Sequence, residues 1–203
     1  MPLLYKAFKK RESMQDSIFQ HHLDTLINNM DSLPGMLEPA AEILNECILN
    51  DRKIFACGNG FGGIVAQTFC QTLLNHLDQE RPALPAFCLN DNATTISAIS
   101  HRYKYNEVYA RQIRALGFEG DVLLIIDSEQ QYANLNTAIQ TAHERGMKVI
   151  VIHPYNSQNI TTLLSEDDTT ITVDCDNPAI LLQIEIIVVN ALCNLIDQNL
   201  FSY

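Results

Sequence analysis

Residues 52–77 read RKIFACGNGFGGIVAQTFCQTLLNHL, and the fold follows from how this stretch changes character along its length. Ile54 to Cys57 is an apolar run of strand length. CGNGFGG then breaks the pattern with four glycines in six residues, Gly58, Gly60, Gly62 and Gly63. From Ile64 the apolar residues return at helical spacing, at Val65, Phe69, Leu73 and Leu77. A strand that enters a helix through a glycine turn gathers backbone N–H groups and the positive helix end at one point. That geometry suits an anion such as a phosphate. Absent Cβ atoms let a ligand approach the backbone and permit positive φ. The candidate ligand loop is therefore Gly58, Asn59, Gly60, Gly62 and Gly63. A tight crossover that binds nothing is the plain alternative.

Before this stretch the pattern is helical. Residues 12–30 place Ile18, Phe19, His22, Leu23, Leu26, Ile27 and Met30 on one stripe, which predicts an amphipathic helix. Asp31, Ser32, Pro34 and Gly35 mark its end, and a second helix is expected from Met36 to Leu49. After it, four more apolar runs have strand length: Ala86–Leu89, Val122–Ile126, Lys148–Ile152 and Thr170–Val173. Helical patterns at Tyr105–Leu116, Tyr132–Arg145 and Asn159–Leu164 separate them, and a long apolar helix closes the chain from Ala179 to Asn199. Continuous apolarity with helices between predicts parallel strands buried on both faces. One domain over residues 1–203 is expected, a helical entry (1–50) followed by an α/β core and closing helix (51–203).

Composition sets limits on function. The 203 residues carry a net charge of −11, which opposes direct binding of nucleic acid. The one basic cluster, Lys6, Lys9, Lys10 and Arg11, reads as a solvated face. Ile180 to Ile196 is punctuated by Gln183, Glu185, Asn190 and Asn194, so no membrane span is expected. No export signal is evident at the N-terminus. Six cysteines at irregular spacing, without CxxC, predict buried free thiols and a cytoplasmic location. Gly58, Gly60 and Gly63 also satisfy GxGxxG, yet that fingerprint opens its domain and here two helices come first. No cofactor and no metal site are expected.

In an open parallel sheet, ligands collect beyond the carboxyl ends of the strands. The loop after Val122–Ile126 reads DSEQQY, so Asp127 and Ser128 join the candidate ligand loop. Asp127 and Glu129 set carboxylates where a phosphate would want hydroxyls and bare N–H groups. Glu185, in mid-helix among aliphatic residues, reads either as an acid or base in a cleft or as an interface hydrogen bond. His153, after a strand, is a conceivable base without an evident carboxylate partner. Leu200 and Phe201 end the closing helix as a potential hydrophobic contact for another protein.

Four segments carry a resemblance: CGNG at 57–60, ERPALPA at 80–86, NEVYARQIRALGFEGDVLLII at 106–126 and NALCNLIDQNLF at 190–201. They resemble the sugar isomerase (SIS) domain family, in the branch of the phosphoheptose isomerases and the DnaA initiator-associating proteins. The resemblance implies a three-layer α/β/α sandwich with a five-stranded parallel sheet, a flavodoxin-like fold with an N-terminal helical extension. It also implies a homotetramer with ligand pockets between subunits. Relatives carry a serine where this chain has Gly62, and a phosphate-binding STSGNS run where it has residues 127–132. The isomerases' catalytic glutamate falls on Thr72, their catalytic histidine on Glu185 and a metal-associated histidine on Thr68. Isomerisation needs a base and an acid. These departures lead to the expectation of a non-catalytic tetramer that binds the replication initiator DnaA through Leu200 and Phe201. The alternatives are a sedoheptulose 7-phosphate isomerase with an altered site, using Glu185 and His153, and a sugar-phosphate sensor without turnover.

Overall fold

The computed structural model describes residues 17–128, 133–157 and 159–201. Five strands, β1 (Ile54–Gly58), β2 (Ala86–Cys88), β3 (Val122–Ile126), β4 (Lys148–Pro154) and β5 (Thr169–Val173), form one parallel sheet. Their order is β2-β1-β3-β4-β5. The helices are α1 (17–29), α2 (Leu33–Leu49), α3 (Phe61–Leu74), α4 (Ala93–Arg102), α5 (Ala110–Leu116), α6 (Ala133–Glu144) and α7 (Pro178–Phe201). Short 3-10 turns stand at Tyr105–Glu107 and Ile160–Leu163.

The continuous apolar runs divide residue by residue between two cores, because successive side chains of a strand point to opposite faces. Ile54, Ala56, Leu124, Ile126, Ile150 and Ile152 meet α2, α3 and α7 on one face. Phe55, Cys57, Leu123, Ile125, Val149 and Val151 meet α5 and α6 on the other. The result is the expected α/β/α sandwich. At the amino ends of the strands, fully buried Asp121 accepts hydrogen bonds from Lys53 N, Lys53 Nζ and Phe118 N at 2.8–2.9 Å. These bonds tie β1 to the segment that enters β3.

By length and apolarity α7 would qualify to cross a membrane, but half of its most apolar stretch is buried inside the fold. Ile184, Val188, Leu192 and Ile196 lie in the core with α2 and α3. All six cysteines are free, five of them buried and Cys88 half-buried.

Three elements differ from the pattern reading. Pro34 and Gly35 lie inside the first turn of α2 instead of before it, since proline's missing N–H is no loss at a helix start. Helix α4 was hidden by its β-branched residues; its signal was Asn92, whose side chain accepts the Thr95 N–H at the N-cap. The apolar stripe of α1 faces outward in the single chain. Phe19, Leu23, Ile27 and Met30 are exposed, while Thr25 and Asn29 face the fold. Asn29 donates to the Asp174 carbonyl at 3.0 Å and accepts from Asp174 N at 2.8 Å, pinning the segment between β5 and α7.

Candidate functional site

Strands β1 and β3 are neighbours along their whole length, Ile54 beside Val122 through Gly58 beside Ile126. From them the chain departs in opposite directions, to β2 on one side and β4 on the other. The crevice at that divergence is where parallel sheets bind ligands. The glycine turn forms one wall and residues 127–128 the other.

The turn is held from behind. The Gly58 carbonyl accepts from Asn90 Nδ2 at 2.8 Å and from Tyr109 Oη at 2.7 Å, and Gly58 N donates to Asn90 Oδ1 at 3.2 Å. Asn59 and Asn134 exchange amide hydrogen bonds at 2.8–2.9 Å. Burial pushes the Tyr109 phenol well up, so it stays a donor. Gly60 has φ +50°, which glycine tolerates without a Cβ penalty. Gly62 N donates to the Asn59 carbonyl at 2.8 Å and Gly63 N to the Gly60 carbonyl at 3.2 Å. Two N–H groups expected to face an anion therefore close the turn itself.

The opposite wall presses against the start of α3. A Cβ placed on Gly62 would lie 2.5 Å from the Ile126 carbonyl oxygen and 3.2 Å from Ser128 Oγ. Ser128 Oγ donates to Glu185 Oε2 at 2.7 Å. Glu185 is fully buried on α7, and its Oε1 has no hydrogen-bond partner among the described residues. Burial raises its carboxyl from 4.5 to about 7, the nearby Asp127 charge adds to the rise, and the Ser128 hydrogen bond opposes it. Buried Asp127 accepts from Ser157 Oγ at 2.6 Å. A cleft of about 270 Å³ opens beside these groups, with Ser128, Asn156, Cys175, Asp176 and Leu181 in its lining. Leu181 stands one helical turn before Glu185, on the same face of α7.

The structure brings together Gly62, Asp127, Ser128 and Glu185, but not His153. That imidazole is buried, with Nδ1 3.0 Å from the Pro154 carbonyl and Nε2 3.3 Å from Thr172 Oγ1. It lines a separate cleft with Ser32, Met36 and Thr170, so it does not partner Glu185. Thr72 is buried on α3. Leu200 and Phe201 are half-buried and pack on the core of their own chain, which removes much of the exposed apolar pair read from the sequence. Glu129, Tyr132 and the basic cluster at Lys6–Arg11 lie outside the described residues. Tyr109, in the turn before α5, and Asn134, in the first turn of α6, brace the turn, and neither residue type at its place signalled that role. Asn90 and Ser157 fall just after strands, where position alone drew attention to them.

Fold and site together define a parallel α/β protein with a crevice at the β1/β3 switch point. A family model for the SIS domain matches residues 19–153, and the chain belongs to that family. It is 37% identical over 184 residues to a phosphoheptose isomerase of Chromohalobacter salexigens, spanning 91% of this chain and 93% of that one. The structure of a phosphoheptose isomerase from Francisella tularensis superimposes with TM-score 0.88 at 34% identity, covering 93% of this chain and 98% of that one. One from Neisseria gonorrhoeae gives TM-score 0.85 at 30% identity, covering 92% and 98%.

These relatives overturn the expectation of a non-catalytic binder of DnaA. Chains similar over nine-tenths of their length are phosphoheptose isomerases. The sequence reading took the acid–base pair as lost because it judged Thr72 and Glu185 position by position. Burial raises the Glu185 carboxyl from 4.5 to about 7, a consequence of packing that no motif displays.

Proposed function

We propose that the protein is an intramolecular isomerase of a phosphorylated ketose, of the phosphoheptose class, acting on sedoheptulose 7-phosphate. One observation carries this reading: the likeness to phosphoheptose isomerases over nine-tenths of the chain. The fully buried Glu185 carboxyl, hydrogen-bonded to Ser128 at the switch point, is the group available for proton transfer. Ketose–aldose isomerisation moves a proton from one carbon to its neighbour, so one group near neutral pKa both accepts and returns it. Glu185 takes both roles, since Thr72 offers no base at neutral pH. The phosphate end belongs at the glycine turn, near the positive end of α3. The kinship with phosphoheptose isomerases over nine-tenths of the chain supports the substrate class.

The exposed stripe Phe19, Leu23, Ile27 and Met30 supports self-association, because contiguous exposed apolar surface marks an interface, and the family resemblance makes a homotetramer the proposed form. Sedimentation velocity reads the assembly directly.

Incubation with sedoheptulose 7-phosphate, followed by NMR for the aldose product, tests the activity. Product from the wild-type protein and its loss in Glu185→Gln are expected. Stabilisation by the sugar phosphate with no product would replace turnover by binding alone.

A further inference from the structure

Two thiols meet behind the glycine turn, away from the crevice. Ala86 and Cys88 of β2 share the face that packs against α3, while Phe87 between them points to the other side and is exposed. On that face the Cys88 side chain is hydrogen-bonded to Cys70 of α3. This contact and burial push the Cys70 thiol well up, so Cys70 keeps its proton. The two differ in access. Cys88 is half-buried and lines a mostly apolar cleft of about 450 Å³ with Leu74, Pro85, Phe87 and Asp91, whereas Cys70 is 1% exposed. Cys57 and Cys193, close by, are fully buried. An accessible thiol beside a shielded one is the arrangement in which an oxidised sulfur is captured by a resolving sulfur. Cys88 Sγ also lies 4.0 Å from Asn90 Oδ1, and Asn90 bonds both the N–H and the carbonyl of Gly58.

We propose that Cys70 and Cys88 are an oxidant-responsive dithiol: peroxide entering the cleft oxidises Cys88, and Cys70 closes a disulfide that ties α3 to β2. In the first step the Cys88 sulfur attacks hydrogen peroxide. An S–O bond forms, the O–O bond breaks, and the thiol proton leaves with the second oxygen as water. In the second step the Cys70 sulfur attacks the sulfenic sulfur of Cys88. The S–S bond forms, the S–O bond breaks, and the departing hydroxide takes the Cys70 proton as water. Two thiols lose two electrons in all, and one peroxide is reduced to two waters. A small dithiol reverses the reaction by exchange. In a reducing compartment such a bond is transient and reports oxidation rather than holding the fold together. The link joins the helix that begins at the glycine turn to the strand that leads into Asn90, the residue holding that turn. It is independent of whether the chain turns over a sugar phosphate.

The test is a titration of the full, folded chain with hydrogen peroxide, read by intact mass and by mapping of peptides under non-reducing conditions. The wild-type protein is expected to lose two hydrogens and to yield one linked pair of peptides, carrying Cys70 and Cys88, that dithiothreitol separates. Cys70→Ala should instead accumulate oxygen on Cys88 with no link, because the resolving sulfur is gone. Cys88→Ala should leave Cys70 reduced, because the accessible sulfur is gone. If alanine at position 70 prevents folding, Cys70→Ser gives the same arm at similar volume. The linked chain should melt about 5–10 °C above the reduced one, the scale of a disulfide closing a short loop in a chain of this size. Oxygen adducts on wild-type Cys88 without a link, a link from Cys88 to Cys57 or Cys193, or six thiols that stay reduced would each overturn the dithiol. A linked chain that melts no higher than the reduced one would overturn closure within the native fold.

Discussion

Gly62 and the carbonyl oxygen of Ile126 approach so closely that any Cβ on residue 62 would lie 2.5 Å from that oxygen. The start of α3 and the end of β3 meet backbone to backbone, without a side chain between them. Gly62→Ser is expected to destabilise this chain by about 1–3 kcal/mol through overpacking. Thermal melting should fall by roughly 2–4 °C for each kcal/mol lost in a chain of this size. A melting temperature equal to wild type would show that the walls open freely.

Glu185 links stability to pH. Its carboxyl is raised from 4.5 to about 7 in the folded chain, so the folded state holds this proton more tightly than the unfolded state. Its contribution is fully present below about pH 4.5 and is lost as pH rises through about 7. The difference between these two values corresponds to on the order of 3 kcal/mol. Glu185→Gln should remove this dependence, melting closer to wild type at pH 4.5 and above it at pH 8. Parallel pH curves for the two proteins would place the titrating carboxyl elsewhere.

Arg81 caps the carboxyl end of α3 from inside. Its buried guanidinium donates to the carbonyls of Thr72, Leu73, Asn75 and Pro82 and, through Nε, to Asp197 at 2.6 Å. Arg81→Ala removes the donor shared by Asp197 and the carbonyls of Thr72, Asn75 and Pro82, while the Leu73 carbonyl keeps the Leu84 N–H. The change should cost about 3–5 kcal/mol in urea unfolding. Arg81→Lys should recover little, because an ammonium cannot reproduce the planar fork. A loss under about 1 kcal/mol for alanine would mean that water replaces the fork, as it does at exposed ion pairs.

Much of this architecture was readable along the chain. Apolar runs at Ile54, Val122 and Lys148 marked buried parallel strands, and the glycines from Gly58 to Gly63 marked the strand-to-helix turn beside them. Local chemistry dictates both, through strand burial and the freedom of residues without Cβ. Helix α4 escaped because Thr94, Thr95 and Ile96 favour strands, and the N-cap at Asn92 was the weaker signal. The periodicity of α1 gave its apolar stripe, and only the structure shows that stripe exposed on the single chain, because periodicity names a face and not its neighbour.

By itself the sequence determined the parallel sandwich, its family and the loops that border the crevice, since each depends on short-range pattern and on resemblance. Tertiary structure alone decided what those loops can do. It carried Ser128 against Glu185, 57 positions away, and sealed the carboxyl from water. A side chain's acidity depends on the dielectric and charges around it in space, and these come from residues that are neighbours only after folding.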